Sequence, residues 1–152
     1  MQLIVWYLQG LLTPVIGCIA TYIAIQQWKA KKLEVNLQVY DRRLHVYEAV
    51  KKILGIVTRD ADVKTEELLT FMSDAAQADF LFGSEIKQYI EEMYRRGIKL
   101  GAANKTYNQN RDKPDFNPRK TVEEQTVQLN WFGQQYDVVT DKFKKYLNVS
   151  KL

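Results

Sequence analysis

The chain begins with an apolar stretch that contains no ionisable side chain. Residues 1–28 include no Asp, Glu, Lys, Arg or His, and Lys29, Lys31 and Lys32 follow at once. As a helix, the segment from Leu3 to Ile25 is about 34 Å long, which is enough to cross a hydrocarbon core of about 30 Å. The pattern therefore predicts an N-terminal transmembrane helix, with residues 1–28 as the anchor.

Two other interpretations of this stretch stay open. A cleaved signal peptide would carry its positive charge before the apolar core, whereas here the lysines come after it. A buried helix of a soluble protein is the second alternative, because Gln9, Gln26 and Gln27 lower the hydropathy. The uncleaved anchor fits the charge pattern better than either.

The lysines also predict an orientation. Positively charged flanks of a transmembrane helix stay in the cytoplasm. The N-terminus is then expected outside, and residues 29–152 form a cytosolic domain. That domain is long enough to bury a core of its own.

One face of the predicted span carries small side chains. Small residues let transmembrane helices approach closely, so this face predicts self-association. The alternative is that Gly and Ala are simply common in such helices. The predicted helix-association face consists of Gly10, Thr13, Gly17, Thr21 and Ala24.

Beyond the span, the apolar positions recur at helical spacing and no alternating strand pattern competes. A helix over residues 27–59 is expected to continue from the span without a break, since no proline separates them. Three further helices are predicted over 63–78, 85–103 and 118–147, with Ser84 and Asn117 as N-caps and a polar loop over 104–117.

The clearest stripes lie on the first and last of these helices. Their apolar residues follow spacings of three, four and seven, the period of helices that pack side by side. We predict an all-α fold, in which one transmembrane helix continues into an up-down antiparallel bundle. The stripes are Leu33, Leu37, Tyr40, Leu44, Tyr47 and Leu54, and Val122, Leu129, Phe132, Tyr136, Val139, Phe143 and Tyr146.

Basic residues are expected at the membrane surface. In an up-down bundle the C-terminal helix returns toward the membrane, close to the lysines that follow the span. Anionic lipid headgroups favour such an arrangement by about 1 kcal/mol per basic residue. The predicted membrane-surface set is Lys29, Lys31, Lys32, Lys142, Lys144 and Lys145.

The sequence offers little catalytic chemistry. His45 is the single histidine and Cys18 the single cysteine, so no His–Cys zinc site or nucleophile–base pair can be assembled within one chain. We predict no enzyme activity, no cofactor and no metal. Most aromatic residues lie on apolar stripes, so no specific nucleic-acid partner is predicted either.

Two arginine pairs require interpretation. Ion pairing along helix surfaces is the simpler explanation, and contact with an anionic ligand or partner is the alternative. The residues are Arg42, Arg43, Arg95 and Arg96.

Residues 20–50 resemble part of a known group of proteins. The segments Ala24–Lys29 and Leu37–Val50, the latter reading LQVYDRRLHVYEAV, are similar to a group of small bacterial single-pass membrane proteins of uncharacterised function. These pair an N-terminal span with a helix of the pattern YDRRxxVYE. The resemblance implies a bacterial single-pass protein and no catalytic residues. Together with the orientation predicted above, it leads us to expect the protein in the inner membrane.

Two functional hypotheses follow. The first is a membrane-anchored helical module that tethers or scaffolds a partner, as a homo-oligomer or as a subunit of a membrane complex. The alternative is a ligand- or partner-gated membrane effector of the toxin or phage-defence type, whose spans cluster to perturb the bilayer. An effector should depend on residues of the span, whereas a tether should accept any replacement anchor.

Overall fold

The computed structural model describes the backbone of residues 2–148 and the side chains of residues 14–148. This backbone contains helices and no strand. The predicted all-α class is therefore confirmed for the described part of the chain. The helices are α1 (Gln2–Asp60), α2 (Thr65–Asp74), the short α3 (Ala78–Leu81), α4 (Ser84–Asn110) and α5 (Arg119–Lys144).

Helix α1 runs from Gln2 to Asp60 with Pro14 inside it. The predicted continuity between the apolar segment and the helix that follows it is thus confirmed. Among the described residues, no helix is long and apolar enough to cross a membrane. The side chains of residues 3–13, which open the predicted span, lie outside the description, and the transmembrane helix stays a prediction.

The chain divides into two units, Met1–Gln38 and Val39–Lys151. The second unit contains the end of α1 and the other four helices. The boundary predicted between residues 28 and 29 is a boundary between anchor and cytosolic domain, and it stays a prediction. The boundary between the two units is a different one: it depends on which residues lie close together in space, and it falls inside α1.

The core of the second unit is built from α1, α2, α4 and α5. Its members recur every three, four or seven residues along each helix, so each helix turns one apolar face inward. Burying a side chain of this size contributes about 1.5–3 kcal/mol to stability. The largest fully buried side chains are Phe132, Phe143, Leu54, Leu68, Ile86, Met93, Leu100, Val46, Val50, Val57 and Val139.

Hydrogen bonds at the two ends of this unit show in which direction each helix runs. At one end, Arg43 of α1 contacts the carbonyl oxygens of Leu81 and Tyr146. At the other end, Asn104 of α4 contacts Ala61, just beyond the end of α1. Helix α1 therefore runs from the first end to the second, α2 returns, α4 runs away again and α5 returns, which agrees with the up-down order predicted.

The polar loop predicted over 104–117 is wrong in its first half. Helix α4 continues to Asn110, and the connection to α5 covers only residues 111–118. Polar composition does not end the helix, because tertiary and local hydrogen bonds satisfy its side chains. Asn104 bonds to Asp62 and to Gln125, and Asn110 donates to the carbonyl oxygen of Thr106.

The predicted N-caps are each displaced by one residue. Gly83 occupies the N-cap position of α4, so Ser84 is its first helical residue. Pro118 occupies the N-cap position of α5. The side chain of Asn117 still accepts a hydrogen bond from the backbone nitrogen of Arg119 at 3.1 Å, as a capping side chain does.

The apolar stripes are buried only in part. Leu54 of the first stripe is fully buried, whereas Leu33 and Leu37 are 50% and 44% exposed. In the last stripe Phe132, Val139 and Phe143 are fully buried, but Val122 and Tyr136 are exposed. Heptad spacing identified the correct helices, and burial then depends on whether another helix packs beside each turn.

Candidate functional sites

The predicted association face is exposed where the structure describes it. Gly17, Thr21 and Ala24 are exposed, and Gly10 and Thr13 lie outside the described side chains. A Cβ atom at Gly17 would meet nothing within 4 Å. The Thr21 hydroxyl donates to the Gly17 carbonyl oxygen at 2.8 Å, so it is satisfied within α1 and leaves the face small.

The six predicted surface lysines lie in different surroundings. Lys29, Lys31 and Lys32 are exposed on α1. Lys32 lies over the Trp28 ring, and Lys31 pairs with Glu34 at 2.9 Å. In the C-terminal set, Lys144 is exposed, Lys142 lies 5.3 Å from the centre of the Tyr89 ring, and Lys145 pairs with Glu85.

Arg43 joins three elements at one end of the second unit. Its Nε donates to the Leu81 carbonyl oxygen at 3.0 Å, and its Nη1 donates to that of Tyr146 at 3.4 Å. Leu81 ends α3 and Tyr146 follows the end of α5 by two residues, so the guanidinium lies where a positive charge is favourable. The guanidinium also lies 5.6 Å from the centre of the Tyr146 ring. Arg43 therefore holds the ends of α3 and α5 against α1.

The same end contains a second set of polar contacts, centred on Glu85. The Tyr146 hydroxyl donates to Glu85 Oε1 at 2.6 Å and accepts a hydrogen bond from the Gly83 backbone nitrogen. Lys145 Nζ donates to the same Oε1 atom. A Cβ atom at Gly83 would lie 2.9 Å from the Tyr146 hydroxyl oxygen and closer still to Glu85 Oε2, so any larger residue would force these side chains to shift. We call Arg43, Leu81, Gly83, Glu85, Lys145 and Tyr146 the Arg43 cluster.

The Arg43 cluster shifts the titration of Glu85. Hydrogen bonds from Lys145 and then Tyr146 favour the carboxylate and lower the pKa of Glu85 from 4.5 to about 2. The same pairing raises the pKa of Lys145. Both side chains are more than a third exposed, so solvent screening keeps the contribution to stability small.

We expect Glu85→Gln to reduce stability at pH 7, and the deficit to shrink as the pH falls. A carboxylate whose pKa is lowered by folding stabilises the protein above its ordinary pKa, and this contribution disappears between about pH 4.5 and pH 2. Denaturant unfolding across this range measures the difference. Glu91→Gln makes the same change at an exposed position of α4 and should leave stability nearly unchanged throughout. A deficit for Glu85→Gln that persists at pH 2 would contradict the assignment.

Arg95 and Arg96 both contact Glu92 but differ in surroundings. Arg95 is an exposed partner of Glu92 at 2.9 Å. Arg96 donates to Glu92 at 2.6 Å and to Gln128 at 3.1 Å, and it lies 4.6 Å from the centre of the Trp131 ring. Arg96 thus links α4 to α5. Arg42 is exposed on α1, and contact of these arginines with an anionic partner stays a prediction.

Cavities lie between α1 and α2, between α2 and α4, and between α4 and α5. The first, of about 230 Å³, is lined by apolar residues such as Ile53 and Phe71 and by the acidic residues Glu66 and Asp74. Its volume is below the roughly 300–1,000 Å³ of usual ligand pockets. The second, of about 560 Å³, lies between the start of α2 and α4 and is lined mainly by polar and small residues. The third has about 420 Å³.

Several polar contacts were not anticipated from the sequence. Glu85 and Tyr146 lie in different helices, and Gln128 is buried between Arg96 and Glu124. In the sequence, only the presence of isolated polar residues within helical stretches could have indicated these contacts. Within residues 14–148, no three His, Cys, Asp or Glu side chains are placed to hold a metal ion.

Comparisons with known proteins were made for families, for curated proteins and for solved structures. No family model, curated protein or solved structure matches the chain. The similarity of residues 20–50 to small bacterial single-pass membrane proteins therefore stays a prediction.

Proposed function

We propose that this protein is a membrane-anchored helical assembly module of the bacterial inner membrane. Its N-terminal segment holds the chain in the bilayer, and residues 29–152 act in the cytoplasm by tethering or scaffolding a partner or further copies of the chain. The observation that carries this proposal is the absence of ionisable side chains from residues 1–28, followed directly by three lysines.

The exposure of the apolar side chains in this segment supports the proposal. Seven large apolar or aromatic side chains in the described part of this segment are each between 47% and 64% exposed. They point in all directions around the helix, and a helix that is apolar on every side is stabilised only by an apolar environment. A lipid bilayer provides one. The side chains are Val15, Ile16, Ile19, Tyr22, Ile23, Ile25 and Trp28.

The second unit also presents features suited to a membrane surface. Phe80, which precedes Leu81 of the Arg43 cluster, is 91% exposed, and Lys144 is exposed at the end of α5. Val39, where this unit begins along the chain, lies four residues before Arg43. Aromatic and basic side chains favour the interface with anionic headgroups.

Cysteine accessibility tests the anchor and its orientation in the full-length protein. In a Cys18→Ser background, Gln2→Cys should react with a membrane-impermeant maleimide in intact cells. Gln109→Cys lies on the exposed surface of α4 and should react only after the cells are lysed. The lysines after the span are the physical reason for this asymmetry.

Membrane association is checked on the same samples. Both variants should stay with the membrane fraction after an alkaline wash, which removes peripheral proteins. Labelling of Gln109→Cys but not Gln2→Cys in intact cells would overturn the orientation. Release of both variants into the wash would overturn the anchor.

A further inference from the structure

Residues 30–40 of α1, directly after the apolar segment, carry an apolar stripe that is largely exposed. Leu33 and Leu37 are 50% and 44% exposed, and Tyr40 is half-buried. With Ala30 these residues follow spacings of three, four and three, the a/d pattern of a coiled coil. We call Ala30, Leu33, Leu37 and Tyr40 the α1 stripe.

Charges of opposite sign flank this stripe at e and g positions, where salt bridges between two helices determine partner choice and orientation. In the heptad defined by the α1 stripe, Lys29 occupies a g position and Glu34 the next e position. In a parallel, in-register pair of helices, each g residue faces the e residue five positions later on the other helix. Lys29 of one copy would then face Glu34 of the partner subunit, and the reciprocal pair would form on the other side.

Glu34 is able to accept this additional contact. It is 53% exposed, and within its own chain it pairs with Lys31 through Oε2. Its Oε1 accepts a weak hydrogen bond from Gln38 at 3.4 Å. A carboxylate has about four lone-pair sites, so a second lysine can bind without displacing the first.

The α1 stripe is separate from the small association face. Gly17 and Leu33 are 16 positions apart, which corresponds to about 160° of rotation at 3.6 residues per turn. Gly17 and Thr21 therefore lie on the side of α1 opposite Leu33 and Leu37. A partner helix packed along the stripe leaves the small face open to lipid or to another helix.

We infer that the α1 stripe pairs with the α1 stripe of a second copy of this chain, in parallel and in register. This inference rests on the proposed membrane-anchored function. A seam of about two heptads is too short to hold two free helices together. Anchoring both chains in one bilayer gives them the same direction and a high local concentration.

Disulfide crosslinking of the full-length protein in membranes provides the first readout. In a Cys18→Ser background, Ala30→Cys places a thiol on the stripe without removing a leucine. Val35→Cys makes a similarly small change at a position that is 48% exposed and about 160° from both Leu33 and Leu37 around the helix, and it is the matched control. Under mild oxidation Ala30→Cys should yield a covalent dimer, and Val35→Cys much less.

Charge reversal tests orientation and register. Lys29→Glu or Glu34→Lys alone replaces two attractions by two repulsions and should lower the dimer yield of Ala30→Cys by about fivefold. The double variant Lys29→Glu/Glu34→Lys restores both pairs and should recover the yield. Lys32→Glu changes the charge equally at a position away from the seam and should leave the yield unchanged.

The outcomes separate this inference from the function on which it rests. Failure of the double variant to recover, or crosslinking of Val35→Cys in place of Ala30→Cys, overturns the parallel stripe pairing while leaving an anchored protein. Absence of a dimer from an anchored protein overturns it as well. Crosslinking of Ala30→Cys with charge-swap recovery, in a protein that the alkaline wash releases, sustains the pairing and overturns the anchor.

Discussion

Phe132→Ala is expected to lower the free energy of unfolding by about 3–5 kcal/mol. The Phe132 side chain is completely buried in α5 and is among the largest side chains of the core. Its removal takes away the free energy of burying the ring and leaves a cavity that the neighbouring helices fill only in part. Urea denaturation of the full-length protein in mild detergent, followed by far-ultraviolet circular dichroism, measures this loss.

The control for Phe132→Ala lies on the same helix. Val127 is 56% exposed, so Val127→Ala should change stability by less than about 0.5 kcal/mol. Equal unfolding curves for Phe132→Ala and the native protein would show that α5 does not pack through this face.

Gly97→Ala and Gly133→Ala are expected to change stability in opposite directions, with a difference of about 2–3 kcal/mol. A Cβ atom at Gly97 would lie 2.5 Å from Cδ2 of Leu68. Leu68 is itself 2% exposed, so this contact forces a buried side chain, or the helix that carries it, to shift. Moving Leu68 out of its buried packing, or moving α2 away from α4, destabilises the protein.

Gly133 provides the matched case for the same substitution. It lies inside α5, and a Cβ atom there meets nothing within 4 Å. Alanine is favoured over glycine in a helix by up to about 1 kcal/mol, so Gly133→Ala should raise the denaturation midpoint. A Gly97→Ala variant as stable as Gly133→Ala would contradict the close packing of α2 on α4.

Helices with a long apolar stripe could be predicted from the sequence. In the last helix, Phe132, Val139 and Phe143 were expected in the core and are fully buried. The period of apolar residues is a local property of the chain, so it reveals the helix and its inward face. The predicted positions of the helix ends were less accurate, because helix ends depend on single capping contacts and on what lies beside the last turn.

The Arg43 cluster could not be predicted in the same way. The sequence drew attention to Arg43 but not to Glu85, Gly83 or Tyr146. Glu85 and Tyr146 are 61 positions apart, and their contact exists only because α4 and α5 bring these residues to one end of the bundle. Asn104 is a similar case, since its partners in other elements allow α4 to continue through a stretch with loop composition.

The sequence by itself determined the all-α class, the continuity of the first helix and the apolar segment on which the proposed anchor depends. These follow from periodicity and charge, which act between residues close along the chain. Only the tertiary structure decided which turns of each stripe are buried and which polar residues meet. Leu54 is enclosed by other helices whereas Leu33 remains half exposed, although both lie on one stripe. Burial and hydrogen bonding depend on neighbours that are distant in the sequence, and local periodicity carries no information about them.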